Sequence, residues 1–533
     1  MREEKNNNYE HRKIRQDGRR RQEDERVRKT RKGQQSREEV PPVKKRTSAK
    51  KMQQDGRREE KKRTKKKKST NKEFARVTYF FVTLFLVMMG YLVYFNVVRS
   101  KEIINSPYNV RMDSLSDRVV RGSILDKNGE VLAETVVAED GTETRNYPYG
   151  DVYAHVVGYD SKGKSGLESV ENFDLLTSNA FFVEKIVKEF KEEKNIGDNV
   201  VTTLDSKLQQ AAYDALGDHK GAVVVMEAST GKILAMVSKP TFDPNTISED
   251  WEWLTKDENS SLLNRATQGA YAPGSTFKLV TTLEYMREYS DFENYSYYCE
   301  SEITHEGTTI HCAGNRAHGE ENLADSLANS CNASYSNIGL MLDKEAYRKT
   351  AEELLFNKKL PSVLPYSQSK FRVDKNTTDS EIMMTAIGQG KTQISPYHMT
   401  LISAAIANGG TLMKPYLVDH TENYTGTTVK KNVPETYETL MTSEEAAKLK
   451  EYMEGVIDHG TGTALSGESY TVAGKTGTAE YSSDKEKSHS WFTGFTNVDN
   501  PELVISAVVE SADNSGMSAV SVAKQVLNAY YLS

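Results

Sequence analysis

The chain has few of the residues that announce small stapled or metal-bound folds. Three cysteines in 533 residues, Cys299, Cys312 and Cys331, are too few for a disulfide scaffold. No Cys-x-x-Cys pair and no His-Glu-x-x-His occurs, so the short zinc motifs are absent. Large apolar residues are nearly missing from residues 1–76, which therefore cannot bury a core and are expected to be disordered. Internal repeats are also absent, which excludes a solenoid.

Charge is unevenly spread. The formal net charge is -6, yet residues 1–76 hold 30 Lys and Arg against 13 Asp and Glu, so the remainder is strongly acidic. The run KKRTKKKK at 61–68 has the composition of a nucleic-acid patch. Its position points elsewhere, because residues 77–98, VTYFFVTLFLVMMGYLVYFNVV, carry no charge. At 1.5 Å per residue, such a helix spans the roughly 30 Å of a bilayer's hydrocarbon core. The apolar run is too long for a cleaved signal peptide, and no small-residue cleavage site follows it. Basic residues before the span and acidic ones after it predict a cytoplasmic N-terminus, with everything from about residue 99 outside. The tail is expected to lie against anionic inner-leaflet lipid, and no nucleic acid is expected as a partner.

Residues 99–200 read as a small α+β module. RGSILDKNGEVLA at 121–133 places Asn128-Gly129 between two apolar runs, a hairpin signal, and 181–194 has the pattern of an amphipathic helix. Residues 201–533 read as one α/β domain. A helix is expected near 204–216 and a hairpin at 221–238. Helical segments follow around 323–342, 380–408 and 443–457. Strands are expected at 470–475, 489–496 and 503–512, before a closing helix at 520–532.

Chemistry concentrates in three short stretches. YAPGSTFKLVTTLEYM at 271–286 puts Ser275 on the first turn of a helix, where unpaired N–H groups favour developing negative charge. Lys278 lies one turn on, and a partly desolvated lysine can act as base for a serine. Phe277, Leu279, Val280, Leu283 and Met286 form the buried stripe of that helix. Ser-x-x-Lys also occurs at Ser48, Ser69, Ser161, Ser367, Ser482 and Ser521, so the spacing alone assigns nothing. Ser330-Cys331-Asn332 supplies a hydroxyl able to relay a proton and an amide able to hold a peptide group. TVAGKTGTAE at 471–480 contains the chain's one Lys-Thr-Gly. Lys475 supplies charge, Thr476 and Thr478 supply hydroxyls for a carboxylate, and Gly477 lets a substrate backbone approach and add as a strand. The three stretches stand 55 and 145 residues apart, in the order Ser-x-x-Lys, Ser-x-Asn, Lys-Thr-Gly of penicillin-binding proteins and class A β-lactamases, with Cys331 in the place of the usual Asp.

The chain resembles the class B penicillin-binding proteins, membrane-anchored D,D-transpeptidases of peptidoglycan synthesis, from the apolar span to the C-terminus. NRATQGAYAPGSTFK (264–278), HGEENLADSLANSCN (318–332), IGQGKTQISP (387–396), AAIANGG (404–410), AGKTGTAE (473–480) and HSWFTGF (489–495) are similar to successive blocks of that family. The resemblance implies a serine β-lactamase-like fold, an antiparallel sheet flanked by helices, behind a pedestal module and one transmembrane helix. It implies that Ser275 attacks the D-Ala-D-Ala carbonyl of a stem peptide and that Lys278 takes its proton. Ser330 and Lys475 would carry that proton to the leaving amine. Asn332, Thr476, Gly477 and Thr478 would hold the donor, with the N–H groups of Ser275 and Thr478 as oxyanion hole. No cofactor is implied. β-Lactams would acylate Ser275, and a polytopic SEDS-type glycosyltransferase would be the partner among other wall-synthesis proteins, since about 100 residues before 200 leave no room for a glycan-polymerising domain. A β-lactamase or β-lactam sensor shares the motifs, as would a wall scaffold with a relict pocket. The pedestal argues against the first, and the intact set of five polar residues argues against the second.

Cys299 and Cys312 flank a short loop, and either a disulfide or two free thiols suits an extracytoplasmic address. His305, His311 and His318 read as polar loop residues with no metal between them, and Glu320 and Glu321 read as solvated.

Overall fold

The computed structural model describes residues 49–99, 116–191, 193–480, 488–512 and 516–532. The described residues of its first unit, which ends at Phe95, form a single helix, α1 (Ala49–Tyr94). The stretch Lys72–Tyr94 is long and apolar enough to cross a membrane. The expectation of disorder fails for 49–76, which is helical. Lys, Arg, Glu and Gln are good helix formers, and the apolar segment extends a helix that need not be nucleated afresh. Residues 1–48 of the expected tail lie outside the described residues.

The second unit, Asn96–Ser533, opens with the N-terminal module. The predicted hairpin is there: Ile124–Leu125 pairs antiparallel with Val131–Val137, and Gly129 takes the φ of +89° that the turn demands. Asp126 Oδ1 accepts from the amides of Asn128 and Glu130 and closes the turn. Asn199–Thr202 lies parallel to Ile124–Leu125, and Glu143–Asn146 on the far side of Val131–Val137, with Val418–Glu422 and Thr428–Lys431 at the other end, completes a six-stranded sheet. The sequence boundary at 200 thus divides the chain but not this sheet. Beneath it, Glu168 is fully buried and accepts from Arg121 Nε at 2.6 Å and Arg145 Nε at 2.7 Å. Burial alone would raise its pKa; the two guanidiniums hold the carboxyl below its ordinary range. The amphipathic helix forms over Phe182–Phe190, with Phe182 and Phe190 exposed.

The larger body is built on a five-stranded antiparallel sheet. Its strands are β1 (Gly221–Glu227), β2 (Ile233–Lys239), β3 (Val472–Glu480), β4 (Ser488–Thr496) and β5 (Leu503–Val509), in the order β3-β4-β5-β1-β2. Both faces are covered, which is why GAVVVME is apolar without alternation. Val223, Val225 and Ile505 pack with Leu208 and Val526, from α2 (Ser206–Leu216) and the closing helix Ala519–Tyr531. Val224, Met226, Val504 and Trp491 share the other core cluster with α3 (Lys278–Glu288) and the helix Pro396–Ala407. Each fully buried valine or leucine contributes about 1.5–3 kcal/mol relative to exposure. α3 is buried around its whole circumference from Lys278 to Met286, so its predicted stripe is part of a core helix rather than one wet and one dry face. Its polar residues are satisfied inside: Thr281 Oγ1 lies 2.6 Å from Tyr347 Oη, and Thr282 Oγ1 2.6 Å from Tyr335 Oη.

The late helix and the closing helix fall where expected, over Ser443–Asp458 and Ala519–Tyr531, while the strand expected at 470–475 runs on to Glu480 and the helical stretch expected over 380–408 is two helices, Asp379–Ala386 and Pro396–Ala407. The sequence reading missed the helices Ile247–Leu254 and Lys344–Glu353 and four short strands between 297 and 321.

Candidate active site

Ser275 stands not on an α-turn but on a 3-10 turn, Gly274–Phe277, that leads into α3. Tight packing forces the tighter turn. Gly274 has φ +53°, and a Cβ there would sit 2.3 Å from the carbonyl oxygen of Thr478 on β3. A Cβ on Gly477 would lie 3.0 Å from both Thr276 Cγ2 and Trp491 Cβ. Two glycines therefore allow the serine turn and the Lys-Thr-Gly strand to touch backbone to backbone. Trp491 Nε1 donates to Ala272 O at 3.1 Å and fixes the same turn from β4.

Lys278 begins α3 and is fully buried. Its ammonium donates to Ser330 O at 2.7 Å, Ser330 Oγ at 3.3 Å and Asn332 Oδ1 at 2.8 Å. An ammonium has three donors, and all three are directed at the Ser330 loop rather than at Ser275. The Tyr335 ring lies 5.3 Å from the ammonium. Burial lowers the Lys278 pKa to about 7, against the opposing pull of the Cys331 and Cys312 thiols.

The Ser330 loop joins the helices α4 (Leu323–Ala328) and α5 (Asn332–Met341). Ser330 itself has φ +55°, in the left-handed region uncommon for a residue with a Cβ. Its Oγ accepts a second lysine, Lys475 Nζ at 3.0 Å, and Lys475 also donates to Thr476 O at 2.9 Å. Lys475 is fully buried; burial first, and the charge of Lys278 second, put its pKa well below the ordinary value. Asn332 Nδ2 donates to His311 O at 2.9 Å, which leaves its amide braced at both ends.

β3 is the edge strand, and its outer edge opens on Ser275. A residue's N–H and C=O leave a strand on the same side. Thr476 O and Thr478 O accept from Lys475 and from Gln389 Nε2 at 3.4 Å, so these two residues turn their amides off the sheet. A cleft of about 370 Å³ is lined by Ser275, Ser330, Asn332, Thr476, Gly477 and Thr478, with His311, Cys312, His318 and Gln389 forming walls. All the site residues anticipated from the sequence are thus assembled at one place, Lys278 and Lys475 beneath the floor. Gln389 and Thr461, whose Oγ1 lies 2.6 Å from Thr476 Oγ1, were not anticipated. Gln389 stood inside IGQGKTQISP without a distinguishing spacing, and Thr461 carries no local signal.

The reading of Glu321 as solvated is wrong. It is buried, Oε1 accepts from Asn329 Nδ2 at 2.8 Å, Oε2 has no partner among the described residues, and burial raises its pKa to about 7. Strand pairing of Gly319–Glu321 with Tyr297–Cys299 turns it inward. Cys299, Cys312 and Cys331 are unbonded thiols.

What these groups do best together is acyl transfer. A half-exposed serine sits at a helix entrance, two lysines of depressed pKa meet on one hydroxyl, and a peptide-ready sheet edge runs alongside. Helices on both faces of an antiparallel sheet carry it, as in the penicillin-recognising serine enzymes. Residues 221–530 match the penicillin-binding protein transpeptidase domain, and residues 121–200 match the penicillin-binding protein A dimerisation domain. The peptidoglycan D,D-transpeptidase PbpA of Mycolicibacterium smegmatis is 31% identical over 434 residues, covering 75% of this chain and 87% of the relative. The solved D,D-transpeptidase domain of a peptidoglycan glycosyltransferase from Eggerthella lenta superimposes with a TM-score of 0.70 at 31% identity, over 78% of this chain and 98% of that one. A ceftriaxone acyl-enzyme complex of penicillin-binding protein A from M. tuberculosis superimposes with a TM-score of 0.72 at 28% identity, over 79% and 100%. The chain belongs to the penicillin-binding protein transpeptidase family.

Proposed function

We propose that this transpeptidase cross-links peptidoglycan stem peptides through an acyl-enzyme at Ser275. The observation that carries the assignment is the convergence of Lys278 and Lys475 on Ser330 Oγ at the floor of the cleft that exposes Ser275. The donor peptide lies along the outer edge of β3, its terminal carboxylate between the hydroxyls of Thr476 and Thr478 and its amide against Asn332. Ser275 Oγ attacks the carbonyl of the D-Ala-D-Ala bond while Lys278, as the neutral amine, takes the hydroxyl proton. The N–H groups of Ser275 and Thr478 receive the oxyanion. The C–N bond breaks, the proton passes through Ser330 to the leaving nitrogen, and D-Ala departs. The amine of a second stem peptide then attacks the ester, gives up its proton by the same route, and releases Ser275 with a new peptide bond formed. A β-lactam enters as a donor whose leaving group stays tethered, so the ester persists.

The apolar helix anchors the chain with its basic end in the cytoplasm, by the excess of Lys and Arg before it. The catalytic body then faces the wall, and a SEDS-type glycosyltransferase supplies the glycan strands. Labelling of the full chain with a fluorescent penicillin tests the nucleophile. Wild type labels covalently and Ser275→Ala does not; covalent label on the Ala variant overturns Ser275. Rapid loss of the label to water would mark a hydrolase rather than a transpeptidase.

A further inference from the structure

The helix Phe182–Phe190 of the N-terminal module is built inside out. Phe182, Val183, Ile186, Val187 and Phe190 recur at helical spacing and share one face. That whole face is exposed, Phe182 by 73% and Phe190 by 86%, and so is Phe181 just before it. The polar face is the one turned to the protein. Lys185 Nζ donates to Ser178 O, and Tyr424 Oη donates to Glu184 Oε1. Lys188 Nζ lies 3.8 Å from Glu184 Oε1 and 5.1 Å from the centre of the Tyr424 ring. A surface helix in water lays its apolar stripe on the core. Here the polar contacts hold that stripe outward, as a surface meant for something other than water.

The helix leads to the corner where the chain enters the module from the apolar segment. Lys194 Nζ donates to Ser116 O at 3.1 Å and pairs with Glu143 at 2.8 Å. Asn195 N donates to Arg118 O at 3.0 Å, and Val119–Val120 runs parallel to Asn195–Ile196. Residues 100–115 tether this corner to Arg99 by at most about 60 Å of extended chain. The exposed face is about 14 Å long at about 1.5 Å per residue, and a helix is about 10 Å wide. That falls well short of the about 800 Å² per partner in a stable protein interface. Phenylalanines, valines and isoleucine on one face with lysines on the other are the composition of a helix lying in a lipid interface.

We propose that residues 181–190 dock on the extracytoplasmic lipid surface, with the phenylalanines sunk at the boundary of headgroups and acyl chains. The inference rests on the reading of Lys72–Tyr94 as a membrane anchor. It gives the module a second point of attachment. The helix and the Ser275 cleft belong to one compact unit, so two attachments limit how the cleft tilts over the membrane.

The full chain, reconstituted in vesicles of phosphatidylcholine and phosphatidylglycerol, carries the test. Phe190→Trp adds a fluorophore to the three native tryptophans, read as the difference from wild type in lipid with brominated acyl chains. An interfacial helix sinks its apolar face by about 5–10 Å, so about half or more of the added emission should be quenched. Adding Phe181→Glu and Phe182→Glu should abolish most of that quenching. Penicillin labelling in detergent should stay at the wild-type level in each variant, which shows that the body is folded. A chain that resists an alkaline wash of the vesicles, yet whose added tryptophan is unquenched, overturns the docking alone. A chain released by the wash overturns the anchor reading and this inference with it. An unquenched dimer that Phe182→Glu makes monomeric assigns the face to a second copy and overturns the lipid.

Discussion

Lys278 and Lys475 donate to the same oxygen: Ser330 Oγ is 3.3 Å from one nitrogen and 3.0 Å from the other. Both lysines are fully buried, and burial pushes both pKa values down; the charge of Lys278 adds to the lowering at Lys475. The site therefore enters neutral pH with an amine ready to accept a proton. In the proposed mechanism, the hydroxyl between the two nitrogens is the short path by which that proton moves from Ser275's side of the cleft towards β3.

The rate of penicillin acylation should accordingly rise with pH through about 7, as Lys278 loses its proton, and fall on the acid side. Lys278→Arg, which stays charged, should lose about 100-fold or more in acylation rate at every pH and flatten the profile. Stopped-flow acylation of wild type and variant across pH 5–9 checks both; an unchanged profile in the Arg variant removes Lys278 as the base.

Gly274→Ala should be costly despite its small size. The new methyl must avoid Thr478 O at 2.3 Å and must occupy φ +53°, a strain of about 1–3 kcal/mol. A lower unfolding midpoint together with slower acylation is expected, because the same contact sets the distance from Ser275 to β3. Thermal melts and penicillin labelling of one preparation separate the two effects.

Glu321→Gln should change the pH dependence of stability. The folded pKa, about 7, lies above that of the exposed carboxyl, so the native state holds more protons than the unfolded chain between those values. Wild type therefore loses stability as pH rises from about 4.5 to 7, and the amide does not. Denaturant midpoints at pH 5 and 8 should differ less in the variant than in wild type.

Glu168→Ala leaves Arg121 and Arg145 facing each other in a buried site without their common carboxylate. Losing one partner of such a network costs about 3–5 kcal/mol. The expected outcome is a destabilised N-terminal module, read as early protease cleavage near 121–200, with penicillin labelling retained wherever the larger body stays folded.

The sheet, its flanking helices and the nucleophile turn were legible because their signals are local: apolar runs of strand length, and Pro273-Gly274 before a helical pattern. The three motifs became a site only through their joint order. Thr461 and Gln389 carried no such signal, since they matter by where the chain returns in space. The cluster of three thiols and one imidazole was invisible for the same reason, as Cys299, Cys312, His318 and Cys331 are spread over separate elements with no short ligand pair. Glu321 misled because a charged residue in a polar stretch reads as exposed, while a two-stranded pairing turned it inward. The sheet of the N-terminal module crosses the expected boundary because strands from 418–431 join it, and strand pairing across such a separation leaves no periodic trace.

An edge strand such as β3 ordinarily invites a neighbouring molecule's strand, and with it aggregation. Here the outer rim faces a cleft of about 370 Å³ whose far wall is the His311–His318 segment. That wall admits a single extended peptide but no second sheet. The same enclosure thus keeps the rim of β3 from pairing with the sheet of a second copy.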